Sequence, residues 1–362
     1  MSLTVVIAPD SFKGSLPARD AAEAIAAGWR TERSHDTLVL LPQADGGEGT
    51  LDAIAASNPL SVRHAVGDVT GPDGRPTPGQ WLELPGGVAV VELAQCSGLP
   101  LMAVPDAAGA TTRGLGEVIR AALDAGATSV VIGLGGSAST DAASGALTAL
   151  GLRLLDERGE AIADGGSALA TIASIDRSAL LSPGAVTLLT DVDAPLLGPR
   201  GAAAVFGPQK GATPAQVVEL DAALSHFATA FGGDPDAPGA GAAGGSAWGF
   251  ATAWGAVIVP GADHVAELSG VGAVIPTADL LLTGEGRFDA QSLRGKVVGQ
   301  LIRRAATSGV RVGVIAGQVD IASDVWTVSL TDLAGSSHAA MTEPGRWLRL
   351  AGAQAARDLV GV

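Results

Sequence analysis

The stretch that decides the fold is LTVVIAPDSFKGSL, residues 3–16, near the start of the chain. Its β-branched first half predicts a buried strand over residues 3–8, and Pro17 suits the first turn of a helix that runs to about Trp29. The same order of apolar strand, loop and Ala-rich helix returns at residues 37–57 and again later in the chain. Buried strands that alternate with helices indicate a parallel sheet covered on both faces. The predicted fold class is therefore α/β.

The middle of the chain breaks this pattern and indicates a second domain. Residues 62–91 are rich in Pro and Gly, and the alternating side chains there predict antiparallel or irregular strands. A chain of 362 residues is also long enough for about two domains. We therefore predict a discontinuous parallel-sheet domain, residues 1–62 plus 278–362, and an inserted mixed α/β domain, residues 63–277. Further strands are predicted at residues 129–134, 186–190, 279–283, 312–316 and 325–330.

Charge and cysteine content argue against several classes of protein. A formal net charge of −15 repels nucleic acid and anionic membranes, so we expect neither as a partner. The one cysteine, Cys96, allows no intrachain disulfide and no Cys-rich metal site, which favours a reducing compartment. The first residues lack the basic segment of a signal peptide, and no apolar run of about 18 residues is free of Gly, Pro and charge. A cytoplasmic location is expected.

The distribution of basic residues points to chemistry on anions. Of the 22 basic residues only three are lysines, and Lys13, Lys210 and Lys296 all lie beside glycines in segments that resemble loops. In a chain that uses arginine wherever the two are interchangeable, the remaining lysines mark places that need a compact ammonium group. Such groups commonly bind phosphates. The alternative is that they are three chance surface charges.

A glycine-rich loop follows one predicted strand. Residues 133–141 read GLGGSASTD and precede a predicted helix at residues 142–150. The backbone N–H groups of such a loop and the N-terminus of a helix together bind anions. The alternative is an ordinary turn in which Ser139 or Asp141 caps the helix. The segment is neither a Walker A loop nor a dinucleotide fingerprint.

Acidic residues follow three other predicted strands, at residues 44–50, 190–193 and 283–289. The carboxyl ends of parallel strands face the crevice in which such sheets bind ligands, although any one of these acids could simply form a turn. The five histidines are scattered without the spacing of metal ligands, and no Gly-x-Ser-x-Gly segment occurs, so zinc chemistry and a hydrolase triad lack support. Carboxylates, isolated lysines and glycine-rich loops together suit phosphoryl transfer, which needs ammonium groups on phosphates, a carboxylate-held Mg²⁺ and a carboxylate that orients the attacking hydroxyl.

Six segments in order resemble the bacterial type-1 glycerate kinases over essentially the whole chain. These are residues 7–16 (IAPDSFKGSL), 44–50 (ADGGEGT), 133–141, 205–212 (VFGPQKGA), 238–245 (PGAGAAGG) and 282–287 through 295–296. The resemblance implies ATP-dependent phosphorylation of glycerate, to 2-phosphoglycerate in most members and to 3-phosphoglycerate in others. It also implies a flavodoxin-like discontinuous domain, an inserted second α/β domain, and a site in the cleft between them.

The chain departs from the family pattern at two places. Thr140 stands where the family has Asn, and Ala142-Ala143 stand where it has two glycines. Asp193-Ala194 replaces a pair that ends in Asn. If the lost amide at position 194 contacts substrate or metal, Asp193 takes its place and the preferred substrate differs.

The resemblance and the residue chemistry together assign roles within the predicted cleft. Asp191 is the expected general base, with Asp289 as second choice and as a Mg²⁺ ligand beside Asp193. Lys13 is expected at the transferring phosphoryl group or, like Lys296, on the substrate carboxylate with Arg287. Further substrate contacts are predicted for Ser11, Asp45 and Glu48, and ATP phosphate contacts for Gly135, Gly136, Ser137, Ser139 and Lys210.

Two alternatives remain beside a glycerate kinase. One is a kinase for another small hydroxy acid, and the other is a non-catalytic protein of the same fold that binds sugar acids or nucleotides. A dehydrogenase is disfavoured because no Gly-x-Gly-x-x-Gly follows the first strand. The sequence leaves open whether the protein is a monomer or a homodimer.

Overall fold

A computed structural model describes residues 2–294 and 296–360, and the side chain of Arg294 is not described. Met1, Gly295, Gly361 and Val362, which belong to the predicted segments, lie outside the described residues. The chain forms two compact units. The first comprises Met1–Asp45, Asp52–Pro59 and Ala262–Val362, and the second comprises Gly46–Leu51 and Leu60–Gly261.

The regular elements alternate along most of the described chain. The strands are β1 (Thr4–Ile7), β2 (Thr37–Leu40), β3 (Val62–Thr70), β4 (Pro76–Leu84), β5 (Val88–Glu92), β6 (Ser129–Gly133), β7 (Arg153–Leu155), β8 (Ser174–Asp176), β9 (Ala185–Leu189), β10 (Val257–Val259), β11 (Leu280–Phe288), β12 (Arg311–Val319) and β13 (Trp326–Ser329). The α-helices are α1 (Ala18–Glu32), α2 (Thr50–Ser57), α3 (Leu93–Ser97), α4 (Arg113–Asp124), α5 (Ser144–Ala149), α6 (Ala202–Phe206), α7 (Pro214–Phe231), α8 (Ser246–Trp254), α9 (Gly261–Leu268), α10 (Val271–Val274), α11 (Val297–Thr307), α12 (Leu330–Ala334), α13 (Ser337–Thr342) and α14 (Pro344–Asp358). Short 3₁₀ helices lie at Leu99–Leu101, Gly166–Thr171, Pro208–Lys210, Ile275–Thr277 and Ser292–Arg294.

The first unit contains a parallel sheet with the strand order β13-β12-β11-β1-β2. Strand β1 lies between β11 and β2, with Val5 opposite Leu280 on one side and Leu38 on the other. The parallel sheet and its helices confirm the predicted α/β class. One prediction was wrong in detail, because β11 continues to Phe288 instead of ending near Thr283. The reason is that β12 continues to pair with β11 beyond the end of β1.

Helices cover both faces of this sheet. Alternate side chains of β1 point to opposite faces, so Val5 and Ile7 join one apolar core and Val6 joins the other. The first core contains α1 and α14, which approach closely because a Cβ on Gly28 would lie 1.8 Å from the carbonyl oxygen of Arg349. The second core contains α11 together with residues 262–275. Those residues therefore belong to the first unit, whereas the predicted boundary ran between residues 277 and 278.

The second unit contains a mixed sheet with the strand order β10-β9-β6-β5-β4-β3. The four strands β10, β9, β6 and β5 are parallel, and β5, β4 and β3 are antiparallel, as the Pro- and Gly-rich segment predicted. Helix α7 begins with a capping box in which Thr213 and Gln216 bond each other's backbone N–H groups. Near the end of this helix, Phe227 and Phe231 pack edge-on against Trp248 of α8, at 5.2 and 5.9 Å between ring centroids.

The turn between β6 and α5 has an unusual backbone. Ala142 and Ala143 have φ values of 50° and 60°, and both side chains are fully buried. Non-glycine residues rarely occupy this left-handed region, so α5 begins at Ser144, two residues later than predicted. The conformation is held by α8 and the glycines before it, where the N–H of Ala142 donates to the carbonyl of Gly244 at 3.0 Å. None of the described helices has the length and apolar character needed to span a bilayer.

Candidate active site

The carboxyl ends of β1, β2 and β11 meet at a pocket of the first unit. Its volume is about 350 Å³. Its floor includes the loop after β1, which is anchored where the N–H of Asp10 donates to the carbonyl of Gly284 at 2.8 Å. The lining residues are Asp10, Ser11, Phe12, Lys13, Ser15, Asp45, Glu285, Gly286, Arg287, Lys296, Gly317, Gln318, Leu330, Thr331, Ser337, Ala340, Met341 and Pro344. The pocket thus gathers five residues predicted for substrate or phosphoryl contact: Ser11, Lys13, Asp45, Arg287 and Lys296.

Lys13 and Asp45 form an ion pair at the pocket. The ammonium nitrogen of Lys13 lies 3.1 Å from Oδ2 of Asp45, and 65% of the lysine side chain is exposed. Desolvation opposes the charge of Lys13, but the carboxylates of Asp45 and Asp10 outweigh it, so the pKa of Lys13 is raised. Lys13 therefore stays charged at neutral pH, with an exposed ammonium group available to an anion.

Asp10 lies beside this pair and is 8% exposed. Its Oδ1 atom accepts a hydrogen bond of 2.6 Å from the N–H of Ser11. Burial and then the negative charge of Asp45 raise the pKa of Asp10 to about 7, although Lys13 and the Ser11 N–H oppose the shift. Asp10 therefore exchanges its proton near neutral pH, a property that the sequence did not reveal.

Two groups on β11 complete the pocket from the other side of β1. Glu285 is 8% exposed, its Oε1 atom is buried without a hydrogen-bond partner, and burial raises its pKa. The exposed guanidinium of Arg287 donates from Nε to Oδ2 of Asp320 at 2.5 Å. Lys296, which precedes α11, is exposed at the pocket. The pocket therefore combines cations with one carboxyl group, that of Glu285, that has unused hydrogen-bonding capacity.

Asp289 lies just beyond β11 and does not line the pocket. Its Oδ1 atom accepts the N–H of Gln291 at 2.8 Å, and this bond, with that of Ser292, lowers the pKa of Asp289. Asp289 does contact one residue of the pocket lining, because its Oδ2 atom lies 3.9 Å from Nε of Arg287. The structure thus gives Asp289 a local role in closing the turn after β11, and its predicted catalytic and metal roles stay predictions.

In the second unit, Lys210 holds the glycine-rich loop. Only 2% of its surface is exposed, and its ammonium donates to the hydroxyl of Ser137 at 2.7 Å and to the carbonyl of Ser139 at 2.5 Å. Burial lowers the pKa of Lys210 to about 7, against the opposing charge of Asp141. Gly136 forms the exposed tip of the loop, while the N–H of Gly135 donates to the carbonyl of Gly46. Lys210, Ser137 and Ser139 thus form one hydrogen-bonded group, and Gly135 and Gly136 belong to the same loop. The contact of these five predicted residues with ATP stays a prediction.

Asp141 ends this loop and joins it to the start of α4. Its buried Oδ2 atom accepts the backbone N–H of Thr112 at 2.9 Å and the hydroxyl of Thr112 at 2.8 Å. Burial raises the pKa of Asp141 despite these bonds. The predicted capping role is thus partly met, since Gly145 in the first turn of α5 also donates to this carboxylate at 3.3 Å.

Glu92, which sequence reasoning missed, occupies the N-terminus of α2. It is 1% exposed, and its carboxylate oxygens accept the N–H groups of Gly49 and Leu51, each at 3.0 Å. These are amide groups that a helix start leaves without internal partners. The predicted substrate residue Glu48 is exposed in the loop just before them.

The remaining predicted acids border a separate groove of the second unit. Asp191 and Asp193 are exposed there, with Arg200 and Asp236 among the neighbouring residues. Oδ1 of Asp191 accepts the N–H of Gly261 at 2.9 Å. The structure does not test the predicted roles of these residues.

No group of three or more metal-ligating side chains occurs in the part of the chain that the structure describes. This does not conflict with a nucleotide-borne Mg²⁺, because that ion commonly uses one or two carboxylates together with phosphate oxygens and water. Asp289 and Asp193 supply carboxylates of the right chemistry, but nothing in their surroundings forms a cage.

The parallel sheet and its polar pocket define a class of α/β proteins that bind small anionic ligands at strand ends. Comparison with known proteins then gives the family. A family model described as the glycerate kinase family matches residues 5–360. The glycerate kinase of Bacillus subtilis strain 168 is 44% identical over 329 residues, covering 88% of this chain and 85% of the relative.

Two further relatives agree. The glycerate 2-kinase of Escherichia coli K12 is 42% identical over 306 residues, covering 82% of this chain and 80% of its own. A crystal structure from Salmonella typhimurium LT2, provisionally described as glycerate kinase 2, matches with a TM-score of 0.85 and 37% identity over 100% of this chain and 99% of that one. The chain belongs to the glycerate kinase family, as the resemblance predicted.

Proposed function

We propose that this protein is an enzyme that transfers the γ-phosphoryl group of ATP directly to a hydroxyl of glycerate. The observation that carries the proposal is the pocket of the first unit, in a chain that belongs to the glycerate kinase family. Glycerate has one carboxylate and two hydroxyls. The pocket offers Lys13, Arg287 and Lys296 for the carboxylate, and the carboxyl groups of Asp10 and Glu285 for hydroxyls.

The phosphorylated position is proposed to be the 2-hydroxyl. Support comes from the Escherichia coli relative, whose name specifies position 2. Phosphorylation of the 3-hydroxyl is the other outcome. Phosphorus NMR of the product separates the two, because the ester proton couplings differ between a secondary and a primary carbon.

For ATP, the proposed contacts are the tip of the glycine-rich loop and Lys210. Gly136 is exposed at this tip, and Lys210 fixes the loop through Ser137 and Ser139. Mg²⁺ bound to the nucleotide would neutralise the charge that develops on the transferring phosphoryl group, with Asp289 and Asp193 as the proposed protein ligands. The predicted meeting of both substrates in a cleft stays a prediction.

The proposal also covers the cellular setting. We place the reaction in the cytoplasm, and the support is that the only cysteine, Cys96, is a buried free thiol whose pKa burial raises to about 12. A thiol of this kind needs no oxidising compartment. Cell fractionation followed by an activity assay tests this location.

A coupled assay of ADP release tests the function. The purified chain is incubated with MgATP and, separately, with D-glycerate, L-glycerate, tartronate and lactate. Glycerate-dependent ADP release with formation of a phosphoglycerate supports the proposal. Turnover with another hydroxy acid and none with glycerate would favour the second candidate, which is motivated by Asp193-Ala194. Binding without turnover would indicate a non-catalytic protein.

A further inference from the structure

Resting on the proposed function, we propose that Asp10 is the catalytic proton acceptor that takes the hydroxyl proton of the acceptor substrate. This role was predicted for Asp191 from the sequence, and the geometry of the first unit points instead to the carboxyl at the end of β1. The inference goes beyond the family assignment, which does not say which side chain handles the proton.

Asp10 lies at the carboxyl end of a strand inside the parallel sheet. It follows β1, the strand between β11 and β2, so acidic groups approach it from both sides. Asp45 follows β2, and Glu285 lies in β11. A substrate that enters this pocket therefore meets Asp10 between its two acidic neighbours.

The partners of the three carboxyl groups then distinguish them. Asp45 has the ammonium of Lys13 3.1 Å from its Oδ2 atom, so its carboxylate is already engaged in an ion pair with that lysine. Glu285 has a buried oxygen without a hydrogen-bond partner, which suits it to accept a hydrogen bond from a ligand hydroxyl. Asp10 has its Oδ1 fixed by the N–H of Ser11, so its orientation is set while we assign Oδ2 to the reacting hydroxyl.

Electrostatics support the assignment. The charged groups that act on Asp10 are Lys13 in its own loop, Asp45 after β2 and Glu285 in β11. Arg287 in β11 and Lys296 before α11 line the same pocket. Burial first, and then Asp45, raise the pKa of Asp10 to about 7. A base whose pKa lies near the working pH combines a useful deprotonated fraction with a strong affinity for the proton.

The acceptor O–H bond breaks and its proton moves to Oδ2 of Asp10, while the acceptor oxygen forms a bond to the γ-phosphorus of ATP. The bond from that phosphorus to the β,γ-bridging oxygen breaks, and its electron pair leaves with ADP. Asp10 later releases the proton to solvent, so the products are phosphoglycerate, ADP and one proton.

The main test is Asp10→Asn in the full chain, assayed with MgATP and glycerate across pH 5.5–9. In the wild type, kcat/KM should rise with pH through a midpoint near 7, because only deprotonated Asp10 accepts a proton. Asp10→Asn should lose about 100-fold or more in kcat and lose this rise. The control Asp124→Asn, at the exposed end of α4, should match the wild type in both.

Two neighbouring variants move the midpoint in opposite directions if Asp10 is the titrating base. Asp45→Asn removes a negative charge and should shift the midpoint to lower pH, whereas Lys13→Met removes a positive charge and should shift it higher. The midpoint is read from residual activity, so reduced turnover in either variant does not obscure it. These variants also keep the test valid if Asp10→Asn folds poorly.

The outcomes separate the inference from the function on which it rests. A wild type that does not phosphorylate glycerate contradicts the proposed function. Two results with an active wild type would overturn the role of Asp10 alone. One is an Asp10→Asn variant that keeps kcat within about threefold of the wild type. The other is a wild-type activity that falls as pH rises through 7. If Asp191→Asn abolishes the acidic limb while Asp10→Asn retains it, the base is Asp191.

Discussion

At the scale of single residues, the pocket shows why a lysine and an arginine are not interchangeable. Lys13 places a compact ammonium 3.1 Å from Asp45, next to the partly protonated Asp10. An arginine would spread its charge over a larger plane with fixed donor directions. An arginine at position 13 is therefore not expected to do the work of the lysine.

The first prediction concerns this lysine. Lys13→Arg and Lys13→Ala should both lose about 100-fold in kcat/KM for glycerate, since each removes a localised positive charge from a site where an anion reacts. Steady-state kinetics with saturating MgATP measure the loss. The matched control is Arg19→Lys on α1, where the exposed pair with Glu23 lies outside the pocket. Full activity in Lys13→Arg would refute the argument from lysine scarcity.

Residue types were readable from the sequence, but their environments were not. The family resemblance and residue chemistry predict one substrate site for Lys13, Asp45, Arg287 and Lys296, and the structure brings these residues to one pocket. Asp10 lies in the same segment as Lys13, but nothing in the sequence distinguishes it from an ordinary turn-forming aspartate. Its special property comes from burial and from Asp45, which is 35 residues away in sequence but adjacent in space.

At the scale of elements, the approximate positions of the strands and the α/β class followed from apolar runs, whereas the strand order was not predicted and the ends of the elements depended on their partners. Strand β11 outlasts its prediction because β12 pairs with it as far as Phe288. Helix α5 starts late because Ala142 and Ala143 adopt left-handed backbone angles, in a place where Gly245 and Gly249 pack closely against them. No propensity scale predicts two buried alanines in that conformation.

The glycine-rich loop supports a prediction about pH and stability. The pKa of Lys210, about 7 in the folded chain, lies below its value of about 10.5 in an unfolded one, so between these pH values the unfolded chain binds more protons. The cost of burying its charge is therefore present in full below pH 7 and is lost as pH rises toward 10.5. Between pH 7 and 9, the wild type should gain about 1–3 kcal/mol in unfolding free energy relative to Lys210→Met.

Urea unfolding of both proteins at pH 7, 8 and 9 measures this difference. Comparing the two proteins cancels the titration of groups that do not interact with Lys210. Equal pH dependence in wild type and variant would show that burial does not lower the pKa of Lys210. A fall in the relative stability of the wild type as pH rises would contradict the predicted direction.

At the scale of the whole molecule, the apolar cores separate along the division into units. The core of the second unit contains α7, α8 and the mixed sheet, and its buried members all lie between Val69 and Ala256. The other two cores draw on residues 5–41 and 262–356. Each unit therefore has the apolar interior that independent folding requires.

We accordingly expect residues 60–261 to fold when produced alone. The fragment should show cooperative thermal unfolding by circular dichroism, at a lower temperature than the full chain, because it lacks the segment Gly46–Leu51 whose amides bond Glu92. Adding residues 46–51 through an N-terminal linker should recover part of the loss. A fragment that melts without a cooperative transition would show that the two units stabilise each other.

The burial of Lys210 has a practical consequence for work on this protein. Apart from the amine at the start of the chain, the lysines that solvent reaches are Lys13 and Lys296, and both line the pocket. An amine-selective reagent used in excess therefore modifies the pocket, and immobilisation through lysine chemistry would block it.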